Sequence, residues 1–357
     1  MERSQTSWCS WRRWWPILLV GLLAGVFLLD HLVFPPALNL YHAKREMMDT
    51  WVSITVFDSD EAHAQAAIHD AFARMEEVVA VASAFDSAAE VARLNATGRL
   101  ALPSPELIEI IEIALDIFAI SDGAFDITIE PLLDLWRFDP EAEVQFWEVA
   151  AEVQEQEIVS TMAVIGADGI VLRYGDAPEI ELAPGMRITL GGIAKGYAVD
   201  QGLIALESRG IEHALVDAGG DIAVTGGKPG GQPWEIALRD PEDDGNILAE
   251  FELMAGGIAT SGNYLRFFDP EAQVGHIMDP RTGRSAQLAS SATVIADSCT
   301  EADALATAVF VLGPAAGIEI IDQLEGVEAL VLAYDDPVEI ARSRDLGRYE
   351  IQKKDGV

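Results

Sequence analysis

The stretch CTEADALATAVFVLG, residues 299–313, sets Asp303 and Thr307 four residues apart in an apolar run. On a helix these two positions share one face, with Cβ atoms about 6 Å apart. A carboxylate and a hydroxyl are costly to bury among Ala, Leu, Val and Phe unless something polar meets them. A hard cation such as Mg2+ would do so, because it takes oxygen ligands and keeps open positions for substrate phosphates. Alternatively, Asp303 complements the helix N-terminus while Thr307 bonds back to a carbonyl one turn earlier. ITLGGIAKGYAVD, residues 188–200, offers a second charge: a glycine pair lies between an apolar run and a helix opened by Lys195. Such a turn brings backbone N–H groups close to an anion, although the same geometry also serves as an ordinary turn with a solvated lysine. His276 stands in the turn HIMDPRTG, residues 276–283, where an imidazole can take a proton from an attacking hydroxyl. Of the six histidines, it alone sits among turn residues suited to a cleft.

The elements that position these residues are legible in outline. MDTWVSITVF alternates and reads as a strand over 48–57. Asp58 or Ser59 caps a long helix to about Val81, and a short helix ends near LNATG. Ser104, Pro105 and Glu106 open an amphipathic helix that stops near Gly123. Residues 141–157 read as an acidic, exposed helix. Beyond 164 come short strands near 170–174, 179–182, 187–190, 212–217, 221–225, 234–239, 248–254, 257–260 and 291–296. Helices at 192–209 and 301–325 interrupt them. Helices and strands mix without regular alternation, which indicates an α+β fold of two intimately packed subdomains. VDAGGD (216–221) and ATSGNY (259–264) place glycine and small polar groups at strand ends, as hairpins and bulges also do. Dinucleotide-binding GxGxxG, P-loop, zincin, CxxC and GxSxG signatures are all missing from the sequence.

Charge narrows the partners. The chain has 23 basic and 59 acidic side chains, a net of −36. Residues 1–45 hold five basic and two acidic ones, a net of +3, which leaves −39 for the rest. Such a surface repels nucleic acid and fits a chain kept soluble in a salty medium. Any anionic ligand then needs a local cation. Arg12 and Arg13 precede an apolar run from Ile17 to Leu29, the pattern of a membrane anchor or signal segment that leaves the bulk of the chain outside the cytoplasm. Cys9 lies ahead of that run, so with Cys299 it builds no disulfide framework. The chain therefore divides into a tail and anchor, 1–45, and a folded domain, 46–357.

Singly these signals are weak, but their identity and order form a pattern. MDTWVSITV, SDGAFDITIEPLLDLW, LGGIAKGYAVD, VDAGGDIAVTG, IATSGNY, HIMDPRTG and EADALATAVFVLG together resemble the ApbE-like FAD:protein FMN transferases. The resemblance implies an ApbE-type α+β fold, FAD as substrate, Mg2+, and attachment to the cytoplasmic membrane with the domain on its periplasmic side. The acceptor it implies is a flavin-carrying subunit of a membrane redox complex, modified at a threonine-containing motif. Carried onto this sequence, it makes Asp303, Thr307 and the Gly192 carbonyl the metal ligands. Met48, Phe85, Ala124, Phe125, Asp126, Thr189, Lys195, Ser261 and Met278 would line the FAD site, with His276 as general base beside Asp303 and Lys195. Two positions depart from the family pattern: Thr189 replaces an acid, and Asp49 replaces a glycine. Hydrolysis of FAD to FMN and AMP, or FAD binding without catalysis, are the competing expectations.

Overall fold

The computed structural model describes residues 37–137, 141–142, 144–240, 246–263, 267–269, 274–334 and 339–351. The apolar run Ile17–Leu29 and its arginines lie outside the described residues. Alternation in TWVSITVFD drives the first strong element: Val52, Ile54 and Val56 fall on one face and are fully buried. This strand, β2 (Thr50–Asp58), pairs antiparallel with β1 (Asn39–Met47). Most of β1 precedes residue 46, ahead of the boundary drawn from sequence. Its own pattern is faint because Leu40, His42, Lys44 and Glu46 face outward, so pairing with β2 defines it more than hydrophobicity does. The two strands meet at a two-residue turn in which Met48 (φ 53°) and Asp49 (φ 56°) are both left-handed. That is the twist hairpins favour, and it explains why glycine suits position 49 and why aspartate is tolerated there.

Six more strands complete the main sheet: β3 (Ala214–Ala218), β4 (Asp221–Thr225), β5 (Gly256–Gly262), β6 (Ala289–Ala296), β7 (Glu328–Ala333) and β8 (Ile340–Arg342). They lie side by side in chain order and every pairing is antiparallel. The connections carry the rest of the protein. Seven helices are described: α1 (Glu61–Ala82), α2 (Glu90–Thr97), α3 (Pro105–Ile120), α4 (Glu130–Trp136), α5 (Ala151–Met162), α6 (Ala194–Ser208) and α7 (Cys299–Ile321). Asp60 caps α1 by accepting from the N–H groups of Ala62 and His63, and Ser104 caps α3 at Leu107. The acidic helix expected over 141–157 is α5, which starts at Ala151. The strand expected at 187–190 is a single bridge from Arg187 to Ile129 with a bond from Thr189 N to Ile127 O, hemmed between the Pro184–Gly185 turn and Gly191.

One face of the sheet is covered by α1, α6 and α7, whose contact with it forms the largest apolar core. At Cys299–Ile321, α7 is long and apolar enough to cross a membrane, with a mean hydropathy of 1.9. Here that composition serves burial: Ala302, Leu305, Ala306, Val309 and Phe310 are sealed in the core. The helix breaks at Gly313 (φ 75°) and Pro314. On the other face a hairpin of 234–239 and 247–253 packs Trp234, Phe251 and Leu253 against Val224, Ile258 and Leu330. A third cluster joins Leu132 and Trp136 of α4 to Ile158, Val274 and Met278. A small sheet of 99–101, 179–182 and 170–173 completes the α+β architecture.

Candidate active site

The strand register gathers the chemistry at one end of the main sheet. Ala218 pairs with Val52, so the Gly219–Gly220 turn lies beside the Met48–Asp49 turn. Gly219 (φ 65°) presses on Thr50, where a side chain would meet the threonine Cβ at 3.1 Å. Directly after that turn comes Asp221, the first residue of β4, whose carboxylate is ion-paired to Lys195. Lys195 is the second residue of α6 and follows the Gly191–Gly192 turn. Asp303, the fifth residue of α7, is buried, and its Oδ2 accepts from Gly196 N at 3.0 Å. Two helices and a strand thus bring one ammonium and two carboxylates together in a desolvated space.

Their electrostatics reflect that imbalance. Burial, then repulsion from Asp303, pushes the Asp221 carboxyl up to about 7 despite Lys195. Burial also raises Asp303, opposed by Lys195 and the Gly196 N–H. Burial works against the Lys195 ammonium, but the fields of Asp221 and Asp303 outweigh it and its pKa rises. One further positive charge would settle the group. Thr307 lies one turn beyond Asp303, and its Oγ1 is 3.1 Å from Ser261 Oγ at the end of β5. Gly192 is wedged between Thr307 and Phe125: a Cβ there would sit 3.2 Å from both Thr307 Oγ1 and the Phe125 ring. A carboxylate, hydroxyls and a nearby backbone carbonyl are hard oxygen donors, the set that fits Mg2+. Among the described residues no group of three His, Cys, Asp or Glu side chains could hold a metal, so a cation here would rest on hydroxyl and backbone oxygens beside Asp303.

Several contributors escaped the sequence reading. Asp200 on α6 accepts from Cys299 N (2.9 Å), Thr300 N (2.8 Å) and Thr300 Oγ1 (2.5 Å), which pins the start of α7 and hence Asp303. Its signal was a lone acid on an otherwise apolar helical face. Asp221 was visible only as the last residue of a hairpin motif. Gly196 is required by contact, because a Cβ would come 2.9 Å from Asp303 Cβ and collide with the Cys299 carbonyl. Asn263, buried, accepts from Ile277 N at 3.3 Å and donates to Ala286 O at 3.4 Å. It thereby hooks the 276–283 turn, and with it the half-buried His276, to the strand that carries Ser261. Trp136 holds the far side of that turn by donating to Gly283 O at 2.8 Å.

The remaining expected residues are less uniform. Ala124 and Phe125 are buried, with Phe125 against Gly192. Met48 is half-buried at its turn. The Thr189 hydroxyl accepts from Gly191 N at 3.3 Å, so it closes the turn that an acid at this place would close, without adding negative charge. Asp126 is buried and turned inward: its Oδ1 accepts from Thr128 N (2.8 Å) and Thr128 Oγ1 (2.7 Å), and burial raises its pKa. Met278 is 1% exposed within the third cluster. Phe85, 80% exposed, projects from the loop after α1 with the Arg137 guanidinium 5.4 Å from its ring centre. The structure therefore joins Lys195, Asp303, Thr307, Gly192, Phe125 and Ser261, and leaves the side chains of Asp126, Met278 and Phe85 outside that group.

Comparison with known proteins places the chain among relatives of known name. A FAD:protein FMN transferase of Vibrio cholerae is 31% identical over 267 residues, covering 73% of this chain and 78% of that protein. Among solved structures, the ApbE protein of Thermotoga maritima superposes with a TM-score of 0.76 at 30% identity, covering 88% of this chain and all of that one. The flavin transferase ApbE of Vibrio cholerae gives 0.72 at 28% identity, covering 87% and 99%. The sequence pattern of the ApbE family matches residues 48–331, most of the folded part, and the chain belongs to that family.

Proposed function

We propose that this protein transfers the FMN half of FAD to a threonine or serine hydroxyl of an acceptor protein. The observation that carries this reading is the half-buried Lys195 with the buried Asp221 and Asp303 beside Thr307, Ser261 and Gly192: it provides a cation and hard oxygen donors at one spot within an acidic molecule. The names of the relatives support it. The acceptor oxygen forms a bond to the FMN-side phosphorus, the pyrophosphate P–O bond breaks, the hydroxyl gives up its proton, and AMP departs. Such a transfer needs positioning and charge neutralisation more than covalent help. Asp303, Thr307 and the Gly192 carbonyl would hold Mg2+, which neutralises phosphate charge when bound. Lys195 adds a fixed positive charge at the start of α6, whose N-terminal end of the helix dipole has the same sign. His276, held on its turn by Asn263, is the proposed base for the acceptor hydroxyl.

We further propose that the segment of residues 1–45, through its apolar run Ile17–Leu29, anchors the domain on the outer face of the cytoplasmic membrane, where the acceptor is a flavin-carrying subunit of a membrane redox complex. The decisive experiment is intact-mass analysis of an acceptor domain incubated with the full chain, FAD and Mg2+. The expected result is one FMN, less water, per acceptor, with AMP released only when acceptor is present. Asp303→Ala should abolish this, and His276→Ala should slow it far more than it weakens FAD binding. AMP release without acceptor would replace the proposal with FAD hydrolysis, and stably bound FAD with neither product would leave a carrier.

A further inference from the structure

Two buried carboxylates compete for Lys195, and only one of them belongs to the oxygen set around Thr307. Asp221 is 2% exposed at its side chain and stands where β4 leaves the Gly219–Gly220 turn, paired across to Ala218. Its place is fixed by the sheet. Asp303 comes from the helix above, with Oδ2 already accepting from Gly196 N. Lys195 lies between them, close enough to feel both charges, and gives its ammonium to Asp221. A half-buried ammonium deprived of its partner is drawn to the remaining carboxylate whose charge it feels, the one bonded to the N–H of the next residue. Here that carboxylate is Asp303.

We propose that Asp221 is a positioning residue that holds Lys195 off Asp303, leaving the Asp303 carboxylate to a divalent cation. The proposal rests on the reading of Asp303 as a cation ligand. Asp221 acts through Lys195 rather than by touching the ion.

The test uses the full chain in detergent micelles with Mn2+ alone as the probe, free ion being counted by its paramagnetic resonance signal, and a thermal melt to check folding. Asp221→Asn should weaken Mn2+ binding by about tenfold or more, in the range seen when partners of metal ligands are removed. Lys195→Met, which leaves both carboxylates and no ammonium to neutralise, should bind Mn2+ at least as tightly as wild type. Asp221→Asn combined with Lys195→Met should return close to wild-type binding, although neither form with Lys195→Met should transfer FMN. The proposal is overturned if Asp221→Asn binds normally, if Lys195→Met binds more weakly, or if the double variant stays as weak as Asp221→Asn, which would make Asp221 a ligand or a fold determinant. Asp303→Ala separates the layers: its expected loss of binding supports the cation site on its own, whereas undiminished binding would sink that reading and the role of Asp221 together.

Discussion

At the scale of single residues, His63 shows how a side chain with no part in the site sets a pH limit on the fold. Its Nδ1 lies 2.5 Å from an Asp58 oxygen and its Nε2 lies 2.9 Å from the Arg209 carbonyl. Neither partner donates, so only the doubly protonated ring satisfies both. The bond to Asp58 is the main cause that raises the His63 pKa; slight burial opposes it, and the charge of Asp58, the Arg209 carbonyl and the charge of Asp60 add to it. Asp58 experiences a raising effect of burial that is outweighed by Asp60 N–H and His63, so its own pKa falls. Arg209 follows the last turn of α6, so the imidazolium also faces a helix C-terminus. Because the histidine pKa is raised on folding, this clamp stabilises fully below about pH 6.5 and fades as pH climbs through the higher folded value. The lowered Asp58 keeps the clamp intact on the acid side until that carboxylate protonates. The stability difference between wild type and His63→Gln should therefore be largest between about pH 5 and 6 and shrink toward pH 9. Urea denaturation across that range measures it, and a difference that grows with pH would refute the assignment. Residue-scale legibility followed local spacing. Asp303 and Thr307 were readable because helix periodicity alone puts them on one face. Asp221 was not, because its partner lies 26 positions away and meets it only where α6 packs on β4. Asp126, expected to line the FAD site, has bonds from Thr128 that spacing could suggest and one from the Ala167 backbone that it could not.

At the scale of elements, the site depends on how closely α6 and α7 approach. Gly196 faces Asp303 and the Cys299 carbonyl, and the backbone on the α7 side has no free rotation with which to yield. Gly196→Ala should therefore destabilise by about 1–3 kcal/mol, the usual penalty for overpacking, and should displace Asp303 from the Gly196 N–H. Gly347→Ala is the matched control, since a Cβ there meets nothing within 4 Å. Urea midpoints for the two variants, with FMN transfer measured in parallel, check the claim: equal stability would mean that the helices can part without loss. The elements themselves were mostly legible. Alternation in β2, the cap at Ser104, and the strands β3 to β6 were readable within a few residues, because each carries its own periodicity or stop signal, while the cap of α1 is Asp60, one residue beyond the expected Asp58 or Ser59. β1 failed that test because its charged outward positions hide the pattern until β2 is beside it. The 187–190 stretch failed in reverse, having strand composition but almost no partner.

At the scale of the molecule, charge and location act together. Asp126, Glu130, Asp221, Asp279, Asp303 and Glu328 are the buried acids among the described residues, so most of the −39 carried beyond residue 45 faces solvent. Self-repulsion at that density opposes the compact state, and the same field repels an anionic dinucleotide long before it reaches Lys195. Salt acts unevenly on these two ranges. The screening length is about 30 Å at 0.01 M and about 3 Å at 1 M, so added salt suppresses the long-range repulsion first and the close, partly buried pair of Lys195 and Asp221 least. On the proposed reading, raising NaCl from about 10 mM to about 0.5 M should lower the KM for FAD, leave kcat nearly unchanged and raise the Tm, because global repulsion weakens while the local charges persist. Steady-state kinetics at fixed Mg2+ and a melting series in the same buffers make the measurement. A KM that climbs with salt would mean that attraction at the mouth of the site outweighs the field of the whole surface. The acidity would then belong to the choice of acceptor rather than to life in a salty medium.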